Sequence, residues 1–192
     1  MRNVLITMLF AVLLGSCFSN NKELNNPVCD HVHPEFDTMF FGAFNFNLNN
    51  HLTGTRLPEI INIVEPDSIP LTSLGNKNLL VLRYSDIHCN TCIDEEVESL
   101  QKVFEGKLEH VIILCSYNSE RDFIAFRRLN RLRLQAYRIP HNAFDWVPEK
   151  TDKPYYFMVN PDNKVSNFYV PNRSYPNLTN NYLQSIRKLL AD

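Results

Sequence analysis

What the chain lacks narrows its class before any motif is read. It carries no large excess of either charge, its formal net charge being −2, so nothing marks it for nucleic acid or another polyanion. It has no bilayer-spanning apolar run, since the stretch from Val4 to Leu14 is too short to cross a membrane. A second C-x-x-C and any H-x-x-x-H are missing, which leaves a structural zinc site short of its four ligands. Ile93, not histidine, follows Cys92, so the C-x-x-C-H of c-type haem attachment is absent. No internal repeat is present either. What remains is globular in character, 44% hydrophobic and 21% charged, with 192 residues sufficient for one domain plus extra segments and short for two.

The N-terminus reads as an address. Arg2 supplies a positive start, Val4 to Leu14 an apolar stretch, and Leu14-Gly15-Ser16-Cys17 resembles the bacterial lipobox, in which the cysteine is acylated and becomes N-terminal after cleavage. Residues 1–16 are then a lipoprotein signal peptide, and lipid on Cys17 anchors a soluble domain outside the cytoplasm. Residues 17–30 are polar and Asn-rich, as a tether would be. Residues 31–57 form an aromatic-rich extension in which Phe36, Met39, Phe40, Phe41, Phe44, Phe46 and Leu48 follow neither a clean helical period nor strict alternation. Two readings apply: a segment packed on the domain, or an apolar surface that meets a partner or the membrane.

From residue 58 to 192 the pattern is regular. Glu59 to Val64 predicts a strand and Leu79 to Leu82 a central strand buried on both faces. Ile93, Val97, Leu100, Val103 and Phe104 recur at helical spacing, and Val111 to Cys115 reads as a second buried strand. A helix is predicted from Ser119 to about Leu134, with Arg127, Arg128, Arg131 and Arg133 on its wet side. Tyr155 to Val159 and Lys164 to Val170 flank the turn Asn160-Pro161-Asp162-Asn163 as an antiparallel hairpin, and Thr179 to Leu190 closes the chain as an amphipathic helix.

Cys89 and Cys92 stand where the central strand feeds a helix. In a βαβ setting a C-x-x-C reads as redox-active, because the positive end of the helix favours the thiolate of the first cysteine. Cys89 is then the nucleophile and Cys92 the resolving thiol. The competing reading is a structural disulfide in an oxidising compartment. Cys115, in a buried strand, behaves as a small hydrophobe or bridges to Cys29. Soft thiolates also bind Cu(I), with His88, His141 and His31 as candidate helpers, although no metal or other cofactor is expected.

The order of these elements resembles the thioredoxin superfamily, particularly the membrane-anchored, extracytoplasmic thioredoxins of cytochrome c maturation, over about Pro58 to Leu190. That resemblance implies an α/β fold with a mixed central sheet and helices on both faces. His88-Cys89-Asn90-Thr91-Cys92-Ile93-Asp94-Glu95 matches the family's W-C-x-x-C-x-x-E in both cysteines and the glutamate, and the resemblance implies that Glu95 is a buried, proton-moving carboxylate; the other reading puts it with Asp94, Glu96 and Glu98 on a solvated face that offsets the helix dipole. Lys153-Pro154 matches the cis-proline loop, with Pro154 beside Cys89, against an extended substrate. Three positions depart: His88 replaces the tryptophan, Lys153 the threonine before the proline, and Arg83 a strand acid. A protonated His88 or a nearby Lys153, both facing substrate, would lower the pKa of Cys89 and favour a more oxidising pair than thioredoxin itself.

The expected activity is thiol–disulfide exchange with exported proteins and a redox partner protein. The alternative is a non-catalytic thioredoxin-like binding module on the same lipid anchor.

Overall fold

A computed structural model of the chain describes residues 34–57, 77–88, 90–150 and 153–190, with the side chains of 34–37, Asn90, Cys92 and Val147 left aside. Every described residue belongs to one compact unit that starts at residue 34. The lipobox, the tether, Cys29 and the strand expected at 59–64 lie outside the described residues.

The central strand β1 (Leu79–Ser85) is buried along its whole length, as its unbroken apolar start requires. It pairs in parallel with β2 (Val111–Ser116), Leu82 opposite Ile113, and antiparallel with β4 (Tyr155–Val159), Leu82 opposite Tyr156. β3 (Gln135–Arg138) extends the parallel side and β5 (Val165–Tyr169) the antiparallel side, giving the order β3-β2-β1-β4-β5. The described sheet is therefore mixed.

Right-handed crossovers from β1 to β2 and from β2 to β3, both running the same way across the sheet, put their helices on one face. These helices are α2 (Asn90–Val103) and α3 (Glu120–Leu129), joined there by the C-terminal α4 (Pro176–Leu189). Ile93, Val97, Leu100, Phe123, Phe126, Leu183 and Ile186 pack with Leu80, Leu82 and Tyr156 in one core. A second core on the other face holds Val81, Phe144, Trp146, Phe157 and Phe168, with Trp146 stacked on Phe144 at 4.5 Å between ring centres.

Helix α3 ends sooner than its sequence pattern suggests. Ser119 caps it by accepting from the Asp122 amide at 3.1 Å, as its position predicts, but Arg131 adopts φ 46° and Leu132 N bonds back to Arg127 O. The chain thereby leaves the helix at Asn130 and turns into β3.

The aromatic-rich extension is a helix, α1 (Pro34–Leu52), whose period is hidden because apolar residues lie on more than one side. Its polar side chains close the outer edge of β5. Asn45 accepts from Val170 N at 2.8 Å and donates to Val170 O at 3.4 Å, and Asn49 accepts from Phe168 N at 3.1 Å. Gly54, at φ 86°, lets the chain turn back so that Gly54 N reaches Val165 O at 2.8 Å and Val165 N reaches Thr55 O at 2.9 Å. An edge that would otherwise invite strand pairing is thus occupied from within the chain.

Arg83 sits in the middle of this architecture with 1% of its surface exposed. Its guanidinium pairs with both carboxylate oxygens of Glu149, donates to Tyr84 O and to Ser116 Oγ at 2.9 Å, and lies 6.0 Å from the Phe144 ring centre. Tyr155 donates to the same carboxylate at 2.8 Å. Removing one member of a buried pair leaves the other uncompensated, so Arg83→Met is expected to cost about 3–5 kcal/mol. Adding Glu149→Gln should restore most of that loss in urea unfolding, whereas equal losses in the single and double variants would contradict the pairing.

Candidate active site

Strand β1 stops at Ser85 and α2 starts at Asn90, so residue 89 lies between the end of the central strand and the N-terminus of a 14-residue helix. Cys89 itself is outside the described residues. Cys92 has its backbone in the first turn of α2, with its side chain not described.

The intervening turn is held on several sides. Asp86 N donates to Ser116 O at 2.9 Å, and Asp86 Oδ2 accepts from Asn118 N and Nδ2 at 3.1 and 2.9 Å. His88 N donates to Ser85 O at 3.0 Å while the buried His88 ring accepts from Ser85 N at its Nδ1, at 3.2 Å. Beneath the turn, Arg83, Ser85, His88, His141, Glu149 and Tyr155 line a cavity of about 100 Å³.

Of the two readings of Glu95, the structure corrects the buried one. Glu95 is exposed, and Arg173 grips it through Nη2 at 2.6 Å and Nε at 3.0 Å. The half-buried carboxylate is Glu96, which accepts from the Tyr156 hydroxyl. At about 100° of rotation per residue, Glu95 projects about 200° from Ile93 whereas Glu96 lies only about 60° from that core residue. Burial pushes the Glu96 carboxyl above its usual range, with the Tyr156 hydrogen bond opposing and the Glu95 charge adding to the rise.

Glu95, Glu96, Lys153, Pro154, Arg173 and Thr179 share a groove of about 340 Å³ between α2, the loop before β4 and the start of α4. Lys153 is exposed and Pro154 buried, and both line this groove. The peptide bond before Pro154 is trans, since no cis bond occurs among the described residues. Trans is the intrinsically favoured isomer of such a bond, and nothing in Lys153-Pro154 alone compels the other. Cys115 is buried in the core with Sγ directed at Tyr137 O at 3.4 Å. Among the described residues, no three His, Cys, Asp or Glu side chains are placed to hold a metal ion.

This architecture matches solved proteins. A thiol:disulfide interchange protein from Bacteroides sp. superposes with a TM-score of 0.55 at 17% identity, over 73% of this chain and 91% of its own. The thioredoxin domain of a thiol-disulfide oxidoreductase from Bacteroides vulgatus gives 0.54 at 17% identity, over 72% and 97%. The domain has a thioredoxin-like fold. A thioredoxin family thiol:disulfide interchange protein from Chlorobium tepidum TLS agrees, at 0.53 and 15% identity over 72% and 97%. No family model and no curated protein matches the chain.

Within the thioredoxin-like domain, sequence reasoning missed Glu96, Tyr156, Glu149 and Arg173. For Glu96 the signal was available: it follows Ile93 by three residues and precedes Leu100 by four, so it borders the side of the helix that those core residues bury. A carboxyl whose pKa is raised by folding stabilises the folded state fully below its unfolded pKa, and that contribution is lost as pH rises through the folded value. Glu96→Gln keeps an acceptor for Tyr156 and does not ionise. Its urea midpoint is therefore expected to match the parent near pH 4 and to exceed it at pH 8; a parent that gains on the variant with rising pH would reverse the assignment.

Proposed function

We propose that the chain is a lipid-anchored, extracytoplasmic thiol–disulfide oxidoreductase that acts on exported proteins through Cys89 and Cys92. The observation that carries this reading is that the central strand ends at Ser85 and α2 begins at Asn90, with the Cys92 backbone in its first turn, because the amides and dipole at a helix N-terminus favour a thiolate. The fold shared with thiol:disulfide interchange proteins supports the same class. The lipobox-like Leu14-Gly15-Ser16-Cys17 supports the anchor and the compartment.

In the forward step, Cys89 thiolate attacks one sulfur of a substrate disulfide. That S–S bond breaks, a mixed disulfide forms and the substrate's other sulfur leaves as thiolate. Cys92, on losing its proton, attacks Cys89 sulfur and releases the second substrate thiol, so the substrate gains two electrons and the pair is oxidised. A dithiol partner protein returns the pair to the reduced state by the same exchange. Reversed, the sequence oxidises a substrate dithiol.

Glu96 is the group suited to exchanging a proton with Cys92, being on the same side of α2, half-buried and raised in pKa. Glu95, tied to Arg173 at the rim of the groove, serves to shape the substrate's approach. Lys153 flanks that approach and Pro154 forms part of its wall, while His88 lines the separate cavity with Arg83 and Glu149 and is proposed to meet substrate at the turn before Cys89.

The trans bond before Pro154 favours a second reading, the non-catalytic binding module, whose cysteines form a static disulfide. Trapping separates the two. Cys92→Ser is expected to accumulate mixed disulfides between Cys89 and exported proteins, visible as reductant-sensitive bands on a non-reducing gel. Cys89→Ser should give none, and an absence of adducts in both variants would favour the binding module.

A further inference from the structure

Helix α1 closes the edge of β5 with one side and leaves another side without a described neighbour. Asn45, Leu48 and Asn49 turn toward β5, while Met39, Phe40 and Phe46 are 76%, 69% and 67% exposed. Side chains of this size expose together roughly 400 Å² of apolar surface, enough to mark an interaction face. The helix contains Glu35 and Asp37 but no lysine or arginine, so its own charge gives no attraction to an acidic partner.

The route of the chain points to the occupant. α1 is the first described element, and only residues 18 to 33 separate Cys17 from Pro34. Those sixteen residues reach at most about 55 Å even when fully extended. A lipid on Cys17 thus confines α1 to the neighbourhood of the leaflet, where its local concentration at the surface is on the order of millimolar and a weak apolar contact suffices.

We infer that Met39, Phe40 and Phe46 rest in the interfacial layer of the membrane that holds the lipid, with a phospholipid surface as the occupant of this face. The inference rests on the reading of Cys17 as lipidated. A helix lying in that plane buries its apolar side chains among headgroups and the first acyl carbons. Without basic residues on α1 the contact depends on apolar area and is insensitive to salt. Because Asn45 and Asn49 fasten α1 to β5, the contact also fixes how the domain stands on the surface.

The test uses the full lipidated chain, recovered from membranes and reconstituted in phosphatidylcholine vesicles with or without brominated acyl chains. The lone Trp146 is buried against Phe144 and provides an unquenched reference. Emission added by Phe40→Trp is expected to fall about twofold or more with brominated lipid, equally at low and high salt, while emission added by Leu129→Trp on exposed α3 stays constant. Equal quenching at both positions, or none at Phe40→Trp, overturns the inference. Lack of quenching together with a concentration-dependent dimer in sedimentation would assign the face to a second copy instead. Mass spectrometry of the same sample separates the premises: an acylated Cys17 without quenching refutes the membrane contact alone, and an unmodified Cys17 refutes both.

Discussion

A guanidinium buried in the central strand sets the arrangement at the functional end of this domain. Arg83 has no water to solvate it, so every donor must find an acceptor in the protein. It finds them in Glu149, Tyr84 O and Ser116 Oγ, and through Glu149 it reaches Tyr155. One side chain thereby joins β1, β2, β4 and the short helical turn at 147–150. All of this lies just before the Ser85–His88 turn that leads to the cysteines, so the position of that turn depends on a charge pair with little freedom to relax.

On the opposite face of the sheet, chemistry and packing meet at α2. Ile93, Val97 and Leu100 anchor the helix in the larger core, and Glu96 rides at the border of that anchor. Tyr156, in β4 and opposite Leu82, holds the carboxylate in place. The same carboxylate opens on a groove bounded by Lys153, Pro154 and Arg173, so a carboxyl with a raised pKa forms part of its wall.

Elements with strong periodicity were legible in the sequence. β1 announces itself by continuous apolar residues, α2 by its helical repeat, and the β4–β5 hairpin by the Asn160–Asn163 turn, where Asn163 takes the positive φ that such turns use. α1 was not legible, because apolar residues spread around a helix erase the contrast between faces that a periodicity search requires. β3 is four residues at a sheet edge, from exposed Gln135 to half-buried Arg138, too short to carry a pattern. The end of α3 depends on Arg131 entering the left-handed region, a choice its residue type does not signal. At the site, motif spacing selected Glu95, while helix geometry against the core selects Glu96. The partner of Arg83, 66 residues away, is a product of the tertiary fold and has no local trace.

The central claim is that Cys89 and Cys92 form an exchange-active pair, and its most direct test is the reduction potential of that pair in the intact protein, equilibrated with glutathione buffers and read by mass spectrometry. The account predicts a cooperative two-electron transition within about −120 to −270 mV, the range of known oxidoreductases. A pair that stays oxidised below about −300 mV would be a structural disulfide and would contradict it.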